Sequence, residues 1–132
     1  MRVFVDTSAF YALLDRDDDN HERARSAWTE IVEAGTVAVT SSYVLVETAA
    51  LLQSRLGLEA VRAFEEAIVP VLHVEYVPGD LHRLGMAALL VASRRRLSLV
   101  DCVSFEIMRQ NGITSSFSFD SHFKEQGFRL IP

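Results

Sequence analysis

Two hydrophobic periods alternate along this chain: short runs with the β-branched and aromatic character of strands, and longer stretches with apolar residues three and four apart. Arg2 to Val5 is the first strand-like run, and Asp6, Thr7 and Ser8 turn it into a helix through Ala9, Phe10, Leu13 and Leu14, capped by Ser8 or Thr7. After the polar loop from Asp15 to Asn20, Asn20 caps a second helix over residues 21–34, with Ala24, Ala27, Trp28, Ile31 and Val32 as its stripe and Gly35 as its stop. Val37 to Thr40 is a second strand, and Ser41 or Ser42 opens a helix that runs to Gly57. Leu58 to Ile68 forms another helix, ended near Pro70, and His73 to Val77 alternates as a third strand. Asp80 caps the next helix, whose stripe is Leu81, Leu84, Ala88, Leu89 and Ala92 and whose end is Arg94 to Arg96. Ser98 caps a helix through Leu99, Val100, Val103, Ile107 and Met108, stopped by Asn111 and Gly112. Ser116 to Phe119 reads as a strand of period two with Asp120 at its end, Asp120 caps a short helix through Lys124, and Phe128 to Ile131 is the last strand.

Five short strands alternating with helices predict an α/β fold: a three-layer sandwich with a mostly parallel sheet and helices on both faces. At 132 residues and 49% hydrophobic content, the chain suits one domain spanning 1–132. The single cysteine excludes an internal disulfide. The opening MRVFVD places an acid where a signal peptide needs an apolar core, and the longest apolar stretch, Met86 to Ala92, meets Ser93 and three arginines well short of the roughly 20 residues that cross a bilayer. A cytoplasmic protein that does not engage a membrane is expected.

The formal net charge is -5, from 13 basic and 18 acidic residues, a balance that argues against a nucleic-acid partner. That argument weakens if some acids serve a metal. Asp6 and Asp120 follow strands, while Glu47 and Asp101 lie in early helical turns, so all four fall at the element ends where α/β folds build their sites. Each acid has a structural explanation by itself: Asp6 and Asp120 as helix caps, Asp101 as partner of Ser98 in a capping box, Glu47 as partner of an arginine. Glu47 needs some partner, because Val44, Ala50 and Leu51 surround it with apolar surface. Together the four repel unless a cation joins them, and hard oxygen ligands without histidine or cysteine suit magnesium or manganese, ions that position water and phosphate for hydrolysis. If they hold metal, the site's charge is cancelled by its cations and the rest of the chain is nearly neutral. Asp17 to Asp19 is a solvated loop and no EF-hand, lacking the central glycine and the closing glutamate.

The pieces VFVDTSAF, the glutamate of SSYVLVETAALL, LSLVDCVSFEIM and FSFDSHF, in this order and over nearly the whole length, resemble the PIN-domain ribonucleases, especially the VapC-type toxins of toxin-antitoxin pairs. The resemblance implies a metal-dependent endoribonuclease in which Asp6, Glu47, Asp101 and Asp120 are the metal-binding and catalytic acids, with Mg2+ or Mn2+ as cofactor. It also implies that Ser8 supports the site through its hydroxyl and that Cys102 stands where a small residue is usual. The partners it implies are an RNA substrate, a second copy in a homodimer, and a small antitoxin that presents a basic side chain to the acid cluster. A catalytically inactive PIN-like binding domain is the alternative. A receiver-type signalling module fits poorly, because it needs paired acids after the first strand and a lysine late in the sheet, whereas the only lysine is Lys124. A phosphohydrolase of the haloacid dehalogenase type needs an Asp where Ser8 stands. Arg94, Arg95 and Arg96 could hold RNA phosphates, although their place at a helix end explains them. His122 could touch substrate, but reads first as an exposed helical histidine; His21, His73 and His82 lack metal-ligand spacing, and Trp28, Phe117 and Phe119 are read as core.

Overall fold

A computed structural model describes Met1–Pro132 throughout. Its elements are β1 (Arg2–Val5), α1 (Thr7–Leu14), α2 (His21–Glu33), β2 (Val37–Ser41), α3 (Ser42–Arg55), α4 (Leu58–Ala63), β3 (His73–Glu75), α5 (Gly79–Ala92), α6 (Leu99–Asn111), β4 (Ser115–Phe117), α7 (Ser121–Glu125) and β5 (Arg129–Ile131). All five strands are parallel, in the order β3-β2-β1-β4-β5. The chain therefore moves outward from β1 in one direction, returns, and moves outward in the other. The reversal leaves a crevice beyond the carboxyl ends of β1 and β4, the place where open parallel sheets bind ligands.

Register fixes which face each core residue serves. Phe4 pairs with Ser116 and Val5 with Phe117, so Phe4 and Phe117 point to opposite faces of the sheet. On one face the Phe4 ring lies 6.3 Å from Phe123, which meets Phe105 of α6 edge-on at 5.0 Å. On the other, Trp28 of α2 stacks on Phe117 at 6.4 Å. Helices thus cover both faces of a sheet whose central strand is completely buried at Val3, Phe4 and Val5, and the three-layer α/β sandwich is the observed fold.

Several local expectations are corrected. Asp6, and neither Thr7 nor Ser8, caps α1, and Ser41 caps α3 through the Val44 amide. Helix α5 begins at Gly79, before Asp80, whose carboxylate takes only the adjacent Leu81 amide. Ser93 in the left-handed region ends α5, so Arg94 to Arg96 lie beyond the helix and not in its last turn. The face of α5 that meets α6 runs through Gly85, where an added Cβ would stand 2.5 Å from Val103 Cγ2, while Leu84 is half exposed. Closeness of the two backbones matters more there than the hydrophobicity of the stripe. After α4 the chain continues as one π-helical turn (Phe64–Ile68) and one 3-10 turn (Val69–Val71), an unwinding that accommodates Pro70, which has no amide to donate. Strands β3 and β4 each end two residues earlier than their alternation suggests.

Candidate active site

The early end of β4 builds the first part of the site. Ser118 and Phe119 leave the ladder and turn toward the carboxyl end of β1, where Asp6 opens α1. Asp6 Oδ2 accepts three hydrogen bonds: from Ser8 Oγ at 2.8 Å, Ser118 Oγ at 3.1 Å and the Ser8 amide at 3.4 Å. The two hydroxyls also receive the following backbone, the Phe119 amide on Ser8 Oγ at 3.0 Å and the Asp120 amide on Ser118 Oγ at 2.9 Å. A pair of serines therefore locks Asp6 to the segment that carries Asp120. Ser8, to which the resemblance assigns a supporting role, donates its hydroxyl to Asp6. Ser118 was passed over in the sequence as one member of a Ser-Phe-Ser-Phe strand, and its place two residues before an acid was the signal available.

Asp101 and Asp120 arrive by helix capping. Asp101 Oδ2 accepts the Ser98 amide at 3.1 Å while Ser98 Oγ accepts the Asp101 amide at 3.0 Å, a complete capping box at the start of α6. Asp120 Oδ1 accepts the His122 amide at 2.9 Å and so caps α7. The His122 ring folds back over this cap, and its side chain is only 15% exposed, which corrects the reading of an exposed helical histidine. Its Nδ1 lies 3.0 Å from Asp120 Oδ1 and 3.8 Å from Asp101 Oδ2. Ligand-type atoms of Asp101, Asp120 and His122 all fall within 4.8 Å of one another.

Electrostatics ties the acids into one group. Burial raises the Asp6 carboxyl to about 6, with the hydrogen bonds of Ser8 opposing and the charges of Asp101 and Asp120 adding to the rise. Burial likewise raises Asp101, against the hydrogen bonds of Ser98 and together with the charges of Asp120 and Glu47. Glu47, in the second turn of α3, is half-buried and makes no ion pair or side-chain hydrogen bond, so the arginine partner considered for it is absent. No lysine or arginine pairs with any of the four acids; Arg94 instead meets Glu125 at 2.9 Å, and Arg95 and Arg96 are exposed. Clustered carboxylates, of which Asp6 and Asp101 have raised proton affinity, with no lysine or arginine among them are a donor set that fits a hard divalent cation. Cys102 beside them is buried and its thiol is pushed up by burial, which makes it an inert small residue.

The chain matches the PIN domain family over residues 3–129. It is 37% identical over 127 residues to the 23S rRNA-specific endonuclease VapC20 of Mycobacterium tuberculosis, in strains CDC 1551 / Oshkosh and H37Rv, covering 96% of this chain and 95% of that protein. The crystal structure of M. tuberculosis VapC20, described as a sarcin-ricin loop cleaving toxin, superposes with a TM-score of 0.84 at 36% identity, over 96% of this chain and 95% of that one. FitAcB from Neisseria gonorrhoeae shares the fold, with a TM-score of 0.69 at 11% identity over 100% of this chain and 97% of its own. The chain belongs to the PIN-domain family. Within that family it is a ribonuclease of the VapC toxin type.

Proposed function

We propose that Asp6, Glu47, Asp101 and Asp120 hold one or two divalent cations, Mg2+ or Mn2+, and that the site they form hydrolyses phosphodiester bonds in a structured loop of large-subunit ribosomal RNA. The observation that supports this most is the convergence of the acids on the crevice beside β1 and β4 without a lysine or arginine partner. When bound, such a cation supplies an activated water and neutralises charge on the scissile phosphate. The protein's part is to present oxygens in fixed places. Ser8 and Ser118 hold Asp6 Oδ2 and leave Oδ1 free of protein donors, and Ser98 holds Asp101 Oδ2 in the same way. In the absence of a cation, Asp6 retains a proton up to about pH 6, which lessens repulsion among the acids. The choice of RNA rests on the 37% identity to a protein named for 23S rRNA.

The same reading includes a small antitoxin that restrains the toxin and a homodimeric assembly in the cytoplasm. Exposed Leu84, Leu90 and Val91 on α5 support association with another protein surface, and no helix is long and apolar enough to cross a membrane.

The test is incubation of antitoxin-free protein with 23S rRNA and with a sarcin-ricin-loop oligonucleotide, with cleavage positions read by primer extension. One dominant cut with Mg2+ or Mn2+ is expected, abolished by EDTA and reduced about 100-fold or more in Asp101→Asn, because a lost ligand costs several kcal/mol of transition-state stabilisation. Cleavage undiminished by chelator overturns the metal mechanism, and full activity in Asp101→Asn overturns the role of that acid.

A further inference from the structure

His122 stands inside the acid cluster in a state that its own surroundings do not explain. Its Nδ1 is closed off from solvent and forms no aligned hydrogen bond, although Asp120 Oδ1 is 3.0 Å away and Asp101 Oδ2 is 3.8 Å away. Buried polar atoms are almost always satisfied, and one left without a protein partner points to a partner of another kind. A charged imidazolium held as a counter-ion would aim its N–H at one of these carboxylates. The ring does not do so: the approach is close, but Nδ1 has no hydrogen-bond partner.

Two ligands of one cation behave in this manner. Each aims its lone pair at the ion and not at the other ligand, so they come close without bonding to each other. In an octahedron with bonds of about 2.0–2.1 Å, adjacent ligands are about 2.9 Å apart. The 3.0 Å between His122 Nδ1 and Asp120 Oδ1 matches the spacing two such ligands would have, and Asp101 Oδ2 at 3.8 Å would be within reach of the same ion. The ring is held there by the backbone, because the His122 amide donates to the same Asp120 Oδ1 at 2.9 Å.

We infer that His122 is a nitrogen ligand of the site, joining Asp101 and Asp120 around one cation through Nδ1. This rests on the reading of the acids as cation ligands given above. Imidazole suits manganese and later transition ions better than it suits magnesium, so His122 biases the site toward the softer ion, which four carboxylates alone would not do.

The experiment uses the full chain, free of antitoxin and of any histidine tag, loaded with Mn2+ and studied by pulsed EPR. Wild type should show the coupling of a directly bonded 14N, and His122→Asn and His122→Gln should both lose it. Mn2+ affinity, read from the signal of the free ion, should fall about 10-fold or more in these variants, while Mg2+ affinity, read by competition, falls less. Mn2+ bound by wild type with oxygen ligands alone overturns this inference and leaves the acid site standing. A nitrogen coupling that persists in both variants overturns it too. Failure of wild type to bind Mn2+ overturns the acid reading with it.

Discussion

Replacing Asp6 with asparagine should stabilise the metal-free protein at neutral pH, although it damages the site. Burial and the charges of Asp101 and Asp120 lift the Asp6 carboxyl from 3.8 to about 6. Folded protein therefore holds this proton more tightly than the unfolded chain between those two values, and stability falls as pH rises through that window. At 1.36 kcal/mol per unit, the ionised Asp6 costs about 3 kcal/mol above pH 6. Asparagine carries no charge, still caps a helix as well as aspartate, and keeps a carbonyl oxygen for Ser8 and Ser118. The shift already sets the ionised carboxylate, with its hydrogen bonds from Ser8, against a neutral acceptor, so the mutant should be about 3 kcal/mol more stable at pH 8. With a urea slope of about 2 kcal/mol/M, its midpoint should lie about 1.5 M higher.

The assay is urea unfolding of both proteins in EDTA and reductant from pH 4 to pH 8, followed by far-ultraviolet circular dichroism. Near pH 4 the two midpoints should converge, because Asp6 is then protonated in the folded state and the penalty is gone. Taking the difference between the proteins cancels groups that titrate alike in both. Saturation with Mn2+ should close most of the gap: a ligand at about 100 times its dissociation constant adds about 2.7 kcal/mol to wild type, and the mutant should gain little of it. A mutant less stable than wild type at pH 8 in EDTA, or a difference that does not vary with pH, would refute the account of Asp6 as a buried and repelled acid.

Ser118→Ala removes the hydroxyl that donates to Asp6 and accepts the Asp120 amide, so it should cost about 1–2 kcal/mol in urea unfolding and about 10- to 100-fold in RNA cleavage; undiminished cleavage would reject the positioning role. Gly85→Ala should lower thermal stability by about 1–3 kcal/mol despite the better helix propensity of alanine, because its Cβ meets the completely buried Val103, and the added mutation Val103→Ala should recover part of the loss; a neutral Gly85→Ala would show that α5 and α6 separate freely.

Hydrophobic period was enough to read the order of helices and strands, because β1 and β2 are compact apolar runs and α1, α3, α6 and α7 open on side-chain caps. Element ends were less legible. The alternation of Ser116 to Phe119 continues past the ladder because the Ser118 hydroxyl bonds the Asp6 carboxylate and the Phe119 amide bonds the Ser8 hydroxyl, partners that lie far along the chain. Leu84 outweighs Gly85 in any hydrophobic stripe, yet interhelical distance selects the residue without a side chain. At the site, Asp6, Asp101 and Asp120 were each legible as caps, whereas their convergence depends on strand order and was approached only through the resemblance. His122 escaped for a related reason: a histidine two residues after a capping acid has the polar spacing of an exposed helix start, and only the fold shows that the side across from it is filled by Asp101.

Capping and clustering are not rivals in this fold. In a parallel sheet the helix that follows a strand starts at the strand's carboxyl end, so an acid that caps such a helix is delivered to the ligand crevice, as Asp6 is after β1 and Asp120 after β4, while Asp101 comes in the capping box of α6, which follows α5. Asp6 accepts the Ser8 amide, Asp101 the Ser98 amide and Asp120 the His122 amide, each with one carboxylate oxygen. Their other oxygens, Oδ1 of Asp6 and Asp101 and Oδ2 of Asp120, take no hydrogen bond from the protein. The bond to backbone N–H offsets part of the repulsion that gathering the acids creates, and it fixes each carboxylate while leaving a lone pair on the bonded oxygens of Asp101 and Asp120 as well as the free oxygens. Glu47 has no such bond and sits in the second turn of its helix, half-buried beside apolar neighbours. Nothing in the folding of α3 requires a carboxylate there. Of the four acids it is the one that takes no hydrogen bond from the protein, and the proposed cation would supply the partner it lacks.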